Sequence, residues 1–190
     1  LEFRRVLFRS ARGLIPRSAK VSGLPLTARS IPLSDLQVLA FDVFGTVVDW
    51  HGSIVREAMS PGIGLSRERA EEFALAWREG YRPAMQRVRS GELGWTRIDD
   101  LHRIILEGIL PRFGLAHLSE PQRVHLNLAW HRLDPWSDAS PGLIALRKRF
   151  RVCTLSNGNL SLLADLARHG SLPWDLILSA EVFRHYKPDP

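Results

Sequence analysis

The sequence predicts an α/β fold, a parallel Rossmann-like sheet interrupted by an inserted helical segment. Three observations carry this. Short apolar runs recur and end in polar residues, as strands buried on both faces of a parallel sheet do. Beyond residue 137 these runs alternate with stretches of helical spacing, the pattern of strand–helix–strand units. Between the first and second runs, residues 51–136 carry helical periodicity far longer than an ordinary crossover. The implied organisation is a sheet core from residues 31–50 and 137–190, a helical cap from 51–136, and a leader over 1–30.

Each element follows from its local chemistry. Val38 to Phe41 is a short apolar run that stops at Asp42, before a Gly45-Thr46 turn. In the insertion, Phe73, Ala76, Trp77 and Gly80 fall at helical spacing. Leu101, Ile104, Ile105 and Gly108 repeat it, with Pro111 as a stop. Ser119 with Gln122 predicts a capping box and a helix reaching about His131. Asp134 to Asp138 reads as a loop rich in breakers. A helix is expected over 141–150, a strand over 152–155, a helix over 160–169 and a strand over 176–178.

Composition excludes several function classes. The chain has 190 residues, 45% hydrophobic and 24% charged, which is globular rather than disordered. No apolar run is long enough to span a bilayer. The net charge of +6 lies entirely in residues 1–30, which hold seven basic residues and one acid. Residues 31–190 carry nineteen of each sign, so no basic face points to nucleic acid. The leader is expected to be non-native or a targeting sequence. The single cysteine, Cys153, excludes a disulfide framework and suits a reducing, cytoplasmic setting. No His-Glu-x-x-His pattern occurs, and His102, His125 and His131 form no metal motif. The six tryptophans read as core residues, with Trp50 and Trp136 near the cap junctions.

In an open parallel sheet, ligands bind where the strands end. Here those ends carry Asp42, Ser156 with Asn157, and Ser179, followed by Lys187. A carboxylate closing an apolar strand is costly unless paired, and Lys187 is the available cation. The set amounts to a carboxylate nucleophile, a hydroxyl and amide anchor, and a balancing ammonium.

Phe41-Asp42-Val43-Phe44-Gly45-Thr46, Leu155-Ser156-Asn157-Gly158 and Tyr186-Lys187-Pro188-Asp189-Pro190 resemble the first three motifs of the haloacid dehalogenase superfamily. They stand in that family's order, with a helical insertion where it carries a cap. Phosphatases of the superfamily place a general acid two residues after the nucleophile. Here that position is Phe44, and a phenyl ring transfers no proton. The chain is therefore more similar to the type II 2-haloacid dehalogenases, which carry an aromatic residue there.

The resemblance implies hydrolysis of a small 2-haloacid through an aspartyl ester on Asp42. It implies that Thr46 bonds the Asp42 carboxylate and that Lys187 and Ser156 hold the substrate carboxylate. Arg78 and Asn157 would cradle the halide, and Phe44 would form an apolar wall. It implies no cofactor, a small-molecule substrate and a homodimer. An Mg²⁺-dependent phosphatase and a non-catalytic fragment are the alternatives. The family continues past the third motif with a fourth core strand and an acid-bearing loop. The 190-residue chain is thus expected to be C-terminally truncated, with the last core strands missing, and inactive by itself.

Overall fold

The computed structural model describes residues 35–189, so the expected leader over 1–30 lies outside the described residues. The chain opens with β1 (Val38–Phe41) and a short β2 (Val48–Asp49). The helices α1 (Trp50–Met59), α2 (Arg67–Glu79), α3 (Tyr81–Arg89) and α4 (Ile98–Ile109) follow. A 3-10 turn over Leu110–Phe113, α5 (Glu120–Asn127) and a second 3-10 segment over Leu128–Arg132 complete the helical stretch. The chain then forms β3 (Asp134–Pro135), α6 (Ala139–Arg147), β4 (Arg151–Ser156), α7 (Leu160–His169), β5 (Leu176–Ser179) and α8 (Ala180–Phe183).

Strands β1, β4 and β5 form a parallel sheet in the order β1-β4-β5. Phe41 pairs with Thr154 and Ser156 with Ser179. This register brings the ends of all three strands to one edge, with Asp42, Asn157 and Ala180 following them. Thr154 is buried yet satisfied, donating to the Leu178 carbonyl at 2.9 Å.

The remaining strands β2 and β3 pair antiparallel. This ribbon joins the chain where it leaves the sheet to where it returns from the helices. Two-residue strands carry no periodicity, and the expected loop at 134–138 starts as this strand instead.

Helix ends follow sequence chemistry. Asp49 caps α1 by accepting from Gly52 N at 2.9 Å, and Ser66 caps α2. Ser119 N–H and hydroxyl both donate to Gln122 Oε1, at 2.9 and 2.8 Å. The helix expected to reach His131 stays α-helical only to Asn127 and tightens into 3-10 geometry after it. On α4 the buried stripe is Ile98, Leu101, His102, Ile105 and Leu106. Ile104, expected on that stripe, is exposed. The helical core centres on Phe73, Trp77, Leu101, Leu106 and Leu110, all fully buried. Val152, Leu162, Leu163 and Leu166 bury the contact between sheet and α7. Cys153 is a buried strand residue, as its apolar surroundings predict.

Candidate active site

Asp42 stands directly after β1, and β4 runs beside it. Lys187 reaches across from the last described loop. Its Nζ donates to Asp42 Oδ1 at 2.9 Å and to the Leu155 carbonyl at 2.5 Å. Thr46 Oγ1 lies 3.4 Å from Asp42 Oδ2, a long bond from the turn after the strand. Both the Asp42 and Lys187 side chains are partly exposed, at 49% and 35%. The pair is therefore open to an incoming molecule.

The loop that carries Lys187 is held at several points. Its own N–H donates to Asn157 Oδ1 at 2.7 Å. Its carbonyl accepts from Arg89 Nη2 of α3 at 2.9 Å, and Arg89 Nε bonds Asp189 Oδ2 at 2.6 Å. Tyr186 is buried, stacks near Trp95 with centroids 4.9 Å apart and donates to the Thr96 carbonyl. The helical segment thus grips the lysine loop, which fixes where the ammonium sits relative to Asp42.

A cavity of about 80 Å³ opens beside this pair. Asp42, Phe44 and Asn157 line it from the sheet side. Arg78 of α2, Tyr81 of α3, and Ile98 and His102 of α4 line it from the helical side, with Trp130. Phe44 meets Trp130 edge-on at 6.2 Å between centroids. The Arg78 guanidinium lies 4.5 Å from the Tyr81 ring centroid and 5.8 Å from that of Trp50. Among the described residues no carboxylate pairs with it. Burial raises the Tyr81 phenol above its ordinary pKa, although the charge of Arg78 works against this. The cavity therefore offers a guanidinium without a carboxylate partner among the described residues, set against aromatic rings.

Of the sequence-predicted residues, Asp42, Phe44, Arg78, Asn157, Lys187 and Thr46 come together here. Ser156 does not reach the cavity. It is 1% exposed, and its Oγ accepts from Gly158 N at 3.2 Å, shaping the turn after β4. Asn157 turns its Oδ1 to the Lys187 backbone and its Nδ2 to Met85 Sδ at 3.7 Å. Sequence reasoning did not single out Tyr81, Ile98 or Trp130 for this wall, and it weighed His102 only as a metal ligand. A usable signal existed for Tyr81, which stands three residues after Arg78 and so beside it on a helical surface. For His102 the signal was a polar ring on an otherwise apolar stripe. Among the described residues no three His, Cys, Asp or Glu side chains gather as a metal site.

Residues 36–190 match the family model described as haloacid dehalogenase-like hydrolase. The (S)-2-haloacid dehalogenase 4A of Burkholderia cepacia is 28% identical over 168 residues, covering 83% of this chain and 67% of that protein. Among solved structures, the L-2-haloacid dehalogenase PA0810 is 44% identical with a TM-score of 0.76. That match covers 82% of this chain and 66% of PA0810. The defluorinating L-2-haloacid dehalogenase Rha0230 is 37% identical with a TM-score of 0.75, covering 82% of this chain and 64% of its own. The chain thus spans just under two thirds of the length of these two solved relatives.

Proposed function

Because the chain belongs to the haloacid dehalogenase-like hydrolases, we propose that its site hydrolyses small 2-haloacids to 2-hydroxyacids. The observation that carries this is the pairing of Asp42 with Lys187 at 2.9 Å, with Phe44 where a proton donor would otherwise stand. A halide leaves without protonation, so the missing acid costs this reaction nothing.

In the first step an Asp42 oxygen attacks the halogen-bearing carbon from behind. A carbon–oxygen bond forms, the carbon–halogen bond breaks with its electron pair, and the carbon inverts. Water then attacks the Asp42 acyl carbon, and the ester bond breaks to release the hydroxyacid and restore the carboxylate. Lys187 orients the nucleophile and attracts the substrate carboxylate, while Thr46 bonds the second Asp42 oxygen. Arg78 and Asn157 receive the halide. Phe44 and Trp130 keep that region dry, which strengthens every charge interaction within it. Ser156 shapes the turn that presents Asn157 instead of touching substrate, because it is buried off the cavity and accepts from Gly158 N. These steps require no cofactor. The volume of about 80 Å³ suits an acid of two or three carbons. In this reading residues 51–136 are the cap over the site. A homodimer through that segment belongs to the same reading, with Leu75, Ile104 and Val124 exposed on it. So does a cytoplasmic setting, and among the described residues no helix is long and apolar enough to cross a membrane.

The test is halide release from 2-chloropropionate with a chelator present, beside aryl phosphate hydrolysis with Mg²⁺. Halide release by the whole protein that falls about 10⁴-fold in Asp42→Asn is the expected result. Phosphate release dependent on Mg²⁺, without halide release, would replace this reading with the phosphatase one. Halide release unchanged by Asp42→Asn would remove Asp42 from the chemistry.

A further inference from the structure

We propose that His102 is a specificity-determining residue whose imidazole hydrogen-bonds the departing halide beside the Arg78 guanidinium. This rests on the dehalogenation reading above and adds a halide ligand to it.

The direction of attack sets where the halide goes. In-line displacement places the leaving group on the side of the carbon opposite the Asp42 oxygen. Asp42 enters the cavity from the sheet side, so the halide departs toward the helical wall. That wall carries the groups able to meet an anion from the helices, the Arg78 guanidinium on α2, the Tyr81 phenol on α3, the His102 imidazole on α4 and the Trp130 indole N–H.

His102 is a polar group without a partner. It is 3% exposed, and its Nδ1 is buried with no hydrogen bond. Among the described residues neither ring nitrogen is bonded. An unpaired buried polar group costs on the order of 1–3 kcal/mol, which a phenyl ring here would avoid. The surroundings would suit a phenyl well. The imidazole stacks on Trp130 with centroids 4.2 Å apart and planes at 17°, and meets Trp77 edge-on at 6.3 Å. A ring held flat between aromatic neighbours points its nitrogens sideways, and one side is the cavity. Its backbone is fixed as well, since the His102 carbonyl accepts from Trp77 Nε1 at 2.9 Å. Every feature of packing is met by an apolar ring; Nδ1 is enclosed, and Nε2, which is not, is the nitrogen to which a ligand in the cavity would give a partner.

The charge state fits this part. Burial pulls the His102 pKa down to about 3; the Asp99 carboxylate opposes this, and the Arg78 and His131 charges add to it. The ring is therefore neutral throughout the working range and offers one N–H donor. A neutral donor next to a guanidinium binds halide by geometry without a second positive charge. The anion is recognised in the small cavity yet remains free to leave.

Three measurements on the full chain test this. Crystals soaked in sodium bromide should show an anomalous peak within hydrogen-bond reach of His102 and Arg78. Competitive inhibition by bromide should weaken about tenfold in His102→Phe, the effect of one lost bond to an anion, and recover in part in His102→Gln. The His102→Phe protein should unfold at the wild-type temperature or above it, which a purely structural histidine would not allow. Wild-type crystals with no bromide at the imidazole would overturn the proposal. So would a His102→Phe protein with wild-type bromide inhibition. If His102→Phe does not fold, the bromide position and the Gln variant decide alone. Bromide bound at His102 in a protein that turns over no 2-haloacid keeps the anion site and refutes the dehalogenation reading.

Discussion

Gly158 shows how closely the site is packed at the level of single residues. A Cβ added there would stand 3.1 and 3.2 Å from the Phe44 ring and 3.3 Å from Leu163 Cδ2. Leu163 is held in the core, so the Phe44 ring would have to give way toward the cavity. Gly158→Ala should cost about 1–2 kcal/mol, seen as a lower urea midpoint. It should also cut kcat/KM more for a three-carbon haloacid than for a two-carbon one, read from initial rates. Equal losses for both acids would show that Phe44 does not bound the cavity. Asp42, Phe44, Thr46 and Lys187 were legible in the sequence because they flank strand ends and turns, where a polar or special residue stands out. Trp130 and His102 were not, since a cavity wall on a buried helical stripe has the same spacing as core. Ser156 stands off the cavity for a local reason. The buried Gly158 N–H needs an acceptor, and the nearest hydroxyl supplies it.

Between elements, the α2–α3 junction approaches α4 closely. Gly80 joins the two helices with φ −64° and ψ −18°, so no unusual backbone requires glycine. Space does. A Cβ on Gly80 would lie 2.4 Å from Ile105 Cγ2 and 3.2 Å from Cγ1. Gly80→Ala should therefore destabilise by about 1–3 kcal/mol by pushing α4 away, despite the better helix propensity of alanine. Ile105→Ala removes both clashing carbons, so the double variant should be more stable than the sum of the single losses predicts. Thermal unfolding of the four proteins measures this coupling, and simple additivity would show that the contact is absent. Elements with strong periodicity were legible, and α7 spans the residues its pattern predicted. The outward turn of Ile104 was not, because a pattern of threes and fours leaves open which flank of the stripe meets a neighbour. The β2–β3 ribbon escaped notice because its pairing is made by chain ends far apart in sequence.

For the whole molecule, the connection that matters is between the helical segment and the sheet-flanking α7. His131, in the second 3-10 segment, bonds Asp165 Oδ2 of α7 at 2.8 Å and Asp99 Oδ2 of α4 at 3.1 Å. Asn159, which precedes α7, donates to the same Asp99 oxygen at 2.7 Å. An imidazole that donates from both nitrogens to carboxylates is protonated. Burial opposes that charge, but the bonds and charges of Asp99 and Asp165 outweigh it and hold the His131 pKa above its ordinary value. Burial likewise opposes ionisation of Asp99, and the bond and charge of His131 more than offset it, so its pKa is lowered. The signs then fix the pH window. The stabilisation from His131 is complete below the ordinary histidine pKa of about 6.5 and is lost as pH rises through the raised folded value. That from Asp99 is present above the ordinary carboxylate range and is lost as pH falls through its lowered value. The connection should be strongest between about pH 4.5 and 6.5. Raising the pH to about 9 should cost roughly 1–2 kcal/mol, because the Asp165 partner is half-exposed and screened while Asp99 is left with less compensation. His131→Gln should lose about that much at pH 6 and show little further change from pH 6 to 9. Urea unfolding of both proteins at the two pH values provides the comparison. A wild-type midpoint as flat with pH as that of the variant would mean that His131 is neutral in the fold and that its charge does not help to join the two parts.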